Sequence, residues 1–401
     1  MWGALALLLS ANAEALYERA VRLPTYAPWR DPLAEAAERF SLLRRAAKAS
    51  PGNALYRMAL CEILPAGDPG RREILERLAR SPDPAVRRWA LWSLASDALL
   101  KGNVRRALAL LERAPPDPGS ALLDMEEAFC LVRLGRPEGA LERLRDAAGK
   151  ERLEVYKSPA RLDMERAHPH FCGTPLGVLA LSSRLRETCL SVLSWAEGRG
   201  PDKVGEAARA ALRLSLLLAK SEGIPAAPEA ASQIAAEALE ALARTTEKPE
   251  AKAELERKAL EVRGAVANAK SVPKPRWADE LLALFTFGVG RGKTALLTRW
   301  LAWLLVPALS SLILGLLLSW PLGLVAKRGR PRRLARTFIA IATLVAGTAV
   351  GIKAAWNPLL QWAERKIARY EREWRQAKAG AVSASVEKAL KGLNLEGGAR
   401  K

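Results

Sequence analysis

Histidine and sulfur are nearly missing from this chain: its 401 residues hold two His, four Cys and four Met. Both histidines fall in one short stretch, His168 and His170, which leaves little for general acid–base catalysis. No nucleophile stands beside a plausible base, and no acidic cluster suggests a hydrolytic metal centre. An enzyme is therefore not expected, and neither is a cofactor. Paired CxxC spacing, the strong zinc signature, is missing too. Ile, Tyr and Phe, which favour strands, are scarce, while Ala, Leu, Arg and Glu dominate with apolar residues recurring three and four apart. That mix predicts an all-α protein.

Acidic charge is missing from one end. Residues Phe287–Lys401 carry 20 Lys and Arg against 5 Asp and Glu, a net of +15, whereas the first 286 residues hold only +5 of the total +20. Such basicity would ordinarily suggest nucleic acid. Here the excess flanks two long apolar runs, where Lys and Arg anchor spans and attract anionic lipid headgroups. The rest of the chain shows no basic stripe interleaved with aromatics, so no nucleic-acid partner is expected.

Trp300–Trp320 contains no charge and spans about 30 Å as a helix, the thickness of the hydrocarbon layer. Trp300, Trp303 and Trp320 mark its two interfaces. The basic loop Lys327–Arg336 follows, then Thr337–Trp356, interrupted only by Lys353 near its end. These runs predict a two-helix transmembrane hairpin, 300–326 and 337–356, in contact with membrane lipid. Gly347 and Gly351 form a GxxxG, and Ser311 and Gly315 a second small pair one turn apart. Such pairs serve packing within the hairpin or a homo-oligomer contact.

Positive charge does not orient the hairpin cleanly, because the loop and the two opposite flanks hold similar numbers of Lys and Arg. Orientation rests on the amino terminus. Trp2–Leu9 is apolar and Ala11-Asn12-Ala13 offers an A-x-A site, resembling a secretory signal over residues 1–13, although no basic residue precedes it. The alternative is that Trp2–Leu9 begins the first core helix. With a signal, the chain reads as a multi-pass protein of a bacterial inner membrane with an extracytoplasmic soluble domain.

Within the soluble part, Ala95, Gly102, Ala107, Leu111 and Ala114 recur 33 positions later as Ala128, Gly135, Ala140, Leu144 and Ala147. Small Ala marks close helix contact and Gly permits a tight turn. The pattern resembles the tetratricopeptide (TPR) repeat family, a helical hairpin of about 34 residues. The match is good over Arg88–Gly119. It is partial over Ala121–Arg152, where Asp124 and Glu127 replace residues the family usually makes apolar. A looser unit runs from about Asn53 to Arg80, with PAGDPG as its turn, and a further hairpin ends at Ser50-Pro51-Gly52. The resemblance covers roughly residues 31–150, and the domain 14–150 is thus expected to form TPR-like repeats. The resemblance implies partner binding along the first helices, carried here by Trp89, Trp92, Ser96, Met125, Phe129 and Arg133. The alternative is that later helices cover these residues, since Trp is usually largely buried.

Residues 151–270 predict a further helical bundle, with helices at Leu176–Gly198, Asp202–Ser221, Pro228–Thr246 and Pro249–Lys270. A linker and juxtamembrane segment, 271–299, leads to the spans. After Asn357-Pro358 the tail 357–401 is amphipathic, with Trp362 and Trp374 placed either at a membrane interface or against the soluble domain.

Two motifs suggest chemistry and fall short. Phe287–Thr294 resembles a phosphate loop, yet GxxxxGK[ST] requires Gly where Phe287 stands, and an apolar run follows instead of a strand-fed helix. It reads as a basic hinge. His168, His170 and Cys172 alternate in a segment that could present them to a metal, with Cys189 as a fourth ligand. A Cys172–Cys189 disulfide is the competing reading in an exported domain, and free thiols with surface imidazoles the third. No metal site is expected. Together these features predict a membrane-anchored helical-repeat scaffold for an unidentified protein partner. The competing class is an oligomeric pore or transport accessory built from the hairpin.

Overall fold

Proline sets the helix starts. It occupies the first position of seven helices, where its missing N–H costs nothing and its fixed φ fits the first turn. Short Asp and Asn side chains cap four helices, two of them proline-led. Asp68 accepts from the Gly70 amide at 2.7 Å, Asp83 from Ala85 at 2.8 Å, Asn53 from Leu55 at 2.9 Å and Asn103 from Arg106 at 3.2 Å.

The computed structural model describes residues 2–23, 32–167, 178, 180–221, 224, 226–268, 362, 365–366, 369–370 and 372–391. Among these the protein is all-helical with no strand. The helices are α1 (Trp2–Arg22), α2 (Pro32–Ala49), α3 (Ala54–Ile63), α4 (Pro69–Leu78), α5 (Pro84–Leu100), α6 (Val104–Leu111) and α7 (Leu122–Arg133). They continue as α8 (Pro137–Ala148), α9 (Pro159–Ala167), α10 (Leu181–Glu197), α11 (Pro201–Lys220), α12 (Ala227–Thr245) and α13 (Pro249–Asn268). A last helix, α14, covers 372–391.

Successive helices pair as hairpins: α1 with α2, α3 with α4, α5 with α6, α7 with α8, α10 with α11, and α12 with α13. The 33-residue repeat is visible as repeated turn geometry. Gly102 and Gly135 both sit at φ +72°, a left-handed conformation that would strain any side chain. In one turn the Asn103 amide donates to Ala98 O at 2.9 Å and Gly102 to Leu99 O at 2.9 Å. In the next, 33 residues on, Arg136 donates to Leu131 O at 2.9 Å and Gly135 to Val132 O at 3.0 Å. In each turn a six-to-one bond encloses a five-to-two bond, and together they satisfy carbonyls left over at the helix end. The repeated Ala95, Ala107, Ala128, Ala140 and Ala147 are all buried where helices approach closely, with Leu111 and Leu144 beside them.

Helices α10 and α11 continue this stacking, α10 against α7 and α11 against α8, so packing is unbroken across residue 150. The Arg184 guanidinium reaches back from α10 to both carboxylate oxygens of Glu126 on α7, at 2.9 and 3.2 Å, and both groups are buried. Arg71 joins neighbouring hairpins in the same way, donating to Asp97 on α5 and to Cys61 O at the end of α3.

Helix α14 docks on the last hairpins. Val382, Val386 and Ala389 are buried there, and Lys220–Glu387 (2.7 Å), Glu229–Lys378 (2.8 Å) and Glu261–Lys388 (2.7 Å) join it to α11, α12 and α13. Of the two placements open for the tail, this is the one against the helical domain. Trp374 stays exposed under the Lys378 ammonium, 3.9 Å from its ring centroid, and Trp362 is exposed.

Helix α1 packs on α2 with Ala13, Tyr17 and Ala20 in the core. Among the described residues no helix is long and apolar enough to cross a membrane. The expected spans at 300–326 and 337–356, the loop 327–336 and the segment 271–299 lie outside the described residues, as do Ser311, Gly315, Gly347 and Gly351.

Candidate functional site: the first-helix face

The face formed by the first helices of the hairpins is where the sequence places partner contacts, and the chain itself occupies part of it. After α8 the backbone crosses to α7, where the Ala121 amide donates to Arg152 O at 2.9 Å and Arg152 to Gly119 O at 3.1 Å. From there it runs back along the array, past each hairpin in reverse order. Tyr156 meets Trp92 of α5 edge-to-face, ring centroids 6.0 Å apart, with the Arg88 guanidinium 5.8 Å from the Tyr156 ring. Ser158 donates to Glu62 of α3 at 2.7 Å. Helix α9 then packs on α3 and α1, and Tyr17 of α1 donates to Asp163 at 2.8 Å.

Local chemistry explains why a helix restarts here. Ser158 is fully buried and caps α9, accepting from the Arg161 amide at 3.0 Å, and Pro159 fills the first helical position. Glu165 gathers Lys157 at 2.8 Å and Arg161 at 2.9 Å within the same segment. Burial raises the Glu62 carboxyl above its usual range, opposed by the Ser158 hydroxyl and by Arg161 and Arg71. Burial also raises the Tyr17 phenol, with Asp163 adding to the effect. The Tyr156 phenol is raised by burial and by the charge of Asp117.

Five of the six residues expected to bind a partner are buried. Trp89, Trp92 and Ser96 lie on one face of α5, with Tyr156 against Trp92. Met125 is enclosed on α7. Phe129 is flanked by the guanidinium groups of Arg133 and Arg184, 5.4 and 5.7 Å from its centroid. Arg133 is half-exposed and paired with Glu187 at 2.8 Å. Asp124 and Glu127, unusual for the repeat, are answered by Lys150 at 3.9 Å and Arg143 at 2.9 Å.

Cys61, Cys130 and Cys189 are free, buried thiols, pushed up to about 12 mainly by burial. The pairing expected for Cys189 involves Cys172, which lies outside the described residues together with His168 and His170. Among the described residues, no group of three or more His, Cys, Asp or Glu is placed to hold a metal. A shallow cleft of about 280 Å³ lies between Glu151–Glu154 and the end of α11 at Lys220 and Ser221.

Sequence reasoning passed over the segment from Arg152 to Ala167 because it carries no helical period until Pro159. The available signal was Ser158-Pro159, a capping residue followed by a first-position proline. No protein-family model and no curated protein of similar sequence matches the chain. Fold and site together define an all-helical, repeat-like array whose first-helix face is partly filled by its own chain.

Proposed function

We propose that this protein is a membrane-anchored scaffold for protein–protein interaction: a TPR-like array held at a bilayer by the hairpin 300–326 and 337–356, on the extracytoplasmic side. The observation that carries the reading is the docking of α14. The chain leaves the array at Asn268 and by residue 372 is back on the same hairpins, held by three ion pairs and three buried side chains. Between these points lie two apolar runs, each long enough for one crossing. An odd number of crossings would put α14 on the opposite side of the bilayer from α11–α13. Docking therefore speaks against a single crossing and fits two crossings joined by a short basic turn.

The matched turns at Gly102 and Gly135 support the repeat reading, since an array of stacked hairpins offers one extended face for partners.

The test is side-specific labelling of the full chain in sealed vesicles of known orientation. Arg72→Cys on α4 and Ser385→Cys on α14 are each treated with a membrane-impermeant maleimide. Both sites are expected to label from the extracytoplasmic side. Labelling from opposite sides would rule out the hairpin, and joint labelling from the cytoplasmic side would overturn the orientation.

A further inference from the structure

The segment 153–167 does what a bound polypeptide would do on the first-helix face. It crosses α5, α3 and α1 in turn, partly in extended form, presenting Tyr156 to Trp92, Ser158 to Glu62 and Asp163 to Tyr17. Much of its remaining polar chemistry is turned inward, with Lys157 and Arg161 both satisfied by its own Glu165. Leu153, Ala160 and Met164 join the apolar core of the hairpins, and Val155, Tyr156 and Ala167 pack against it, so the segment is seated as a bound polypeptide would be.

The seam beneath it is also imperfect. Trp92 Nε1 and Ser96 Oγ, one turn apart on α5, are buried and have no hydrogen-bond partner among the described residues. A buried donor without an acceptor costs its desolvation, so access to water or to a partner's polar group would relieve these two atoms. Glu62 is held partly desolvated by the same contact and would regain water on release.

We propose that residues 153–167 form a releasable strap that occupies the first-helix face of α1, α3 and α5 in place of an extended segment of a partner protein. The partner segment repeats the strap's own order: an aromatic side chain for Trp92, a hydroxyl two residues on for Glu62, and a carboxylate further along for Tyr17. The strap and the partner compete for one surface, so the free protein is autoinhibited. Opening exposes Trp92, Ser96 and Glu62 together. This rests on the interaction-scaffold reading but fails separately from it, because side-specific labelling of Arg72→Cys and Ser385→Cys is indifferent to the strap.

The test uses the full chain in detergent with Ser96→Cys as reporter, in a Cys172→Ser background. Cys61, Cys130 and Cys189, all buried, report opening of the core. The reporter at position 96 is expected to react with maleimide at least tenfold faster than Cys130 or Cys189. Loosening the strap with Tyr156→Ala and Ser158→Ala should accelerate it by at least another tenfold with core thiols still protected. Excess synthetic peptide covering residues 151–167 should then slow the loosened variant back by at least tenfold. Equal reactivity of position 96 and the core thiols before loosening would show that the strap opens only with the whole fold. Exposure of the core thiols on loosening would make it a structural element. A loosened variant that the peptide fails to protect would show that the face takes no such segment. Each of these three results overturns the proposal.

Discussion

Replacing Arg184 by Met should cost more than any other single substitution at the seam between α7 and α10. Glu126 is almost wholly enclosed, and Arg184 supplies both of its hydrogen bonds, at 2.9 and 3.2 Å. Arg184→Met leaves a buried carboxylate without a counter-charge, a loss of about 3–5 kcal/mol near neutral pH. The double variant Glu126→Gln with Arg184→Met removes both charges, so its loss should be smaller than that of Arg184→Met alone. The loss also has a defined pH dependence. Burial raises the Glu126 carboxyl, and Arg184 is the group that opposes the rise, so without Arg184 the folded carboxyl titrates higher still. A carboxyl raised on folding binds its proton more tightly in the folded state. Its contribution is complete below the unfolded value and is lost as pH rises through the folded one. The deficit of Arg184→Met relative to the parent should therefore be smallest below the parent's own raised folded value, where both folded carboxyls are protonated, and grow by about 1.4 kcal/mol per unit between that value and the still higher one of the variant. Urea unfolding of the full chain in detergent, followed by far-ultraviolet circular dichroism at several pH values, measures this. A single variant within about 0.5 kcal/mol of the parent would refute the reasoning, as would a double variant no better than the single or a deficit independent of pH.

Two glycines should respond to alanine in opposite senses. Gly135 has φ +72° with no atom crowding a new Cβ, so Gly135→Ala carries only backbone strain, about 1 kcal/mol of destabilisation. Gly380 lies within α14 with open space around it, and Gly380→Ala should raise the thermal midpoint by removing about 0.5–1 kcal/mol of helix penalty. The ion pairs of α14 are largely exposed, so Lys388→Ala should change its docking by no more than about 1 kcal/mol. Val386→Asp buries a charge and should release α14 to limited proteolysis while α1–α13 resist. Equal protease sensitivity of Lys388→Ala and Val386→Asp would count against apolar burial as the source of docking.

Much of the helix layout could be read directly from local residues. Pro201, Pro249 and the Gly and Pro punctuation around them placed α11, α12 and α13 to within two residues, because starts and stops depend on backbone chemistry a few positions wide. The 33-residue spacing of Ala, Gly and Leu likewise predicted close contacts that the fold makes, since small residues and a left-handed turn leave a local trace. The two apolar runs and the basic excess beside them are also properties of sequence alone.

Contacts between distant residues left no such trace. Nothing in the spacing of Glu126 and Arg184 indicates a shared buried pair, because pairing depends on how α10 stacks on α7. Trp89 and Trp92 looked equally suited to a partner or to a core. Their burial, and the seating of Tyr156 on Trp92, was decided by the path of a segment without helical period. The amphipathic tail gave an apolar stripe and no address. Only the tertiary structure seats Val382, Val386 and Ala389 on the last hairpins, because apolar burial is non-directional and a stripe fits any apolar surface that geometry brings within reach.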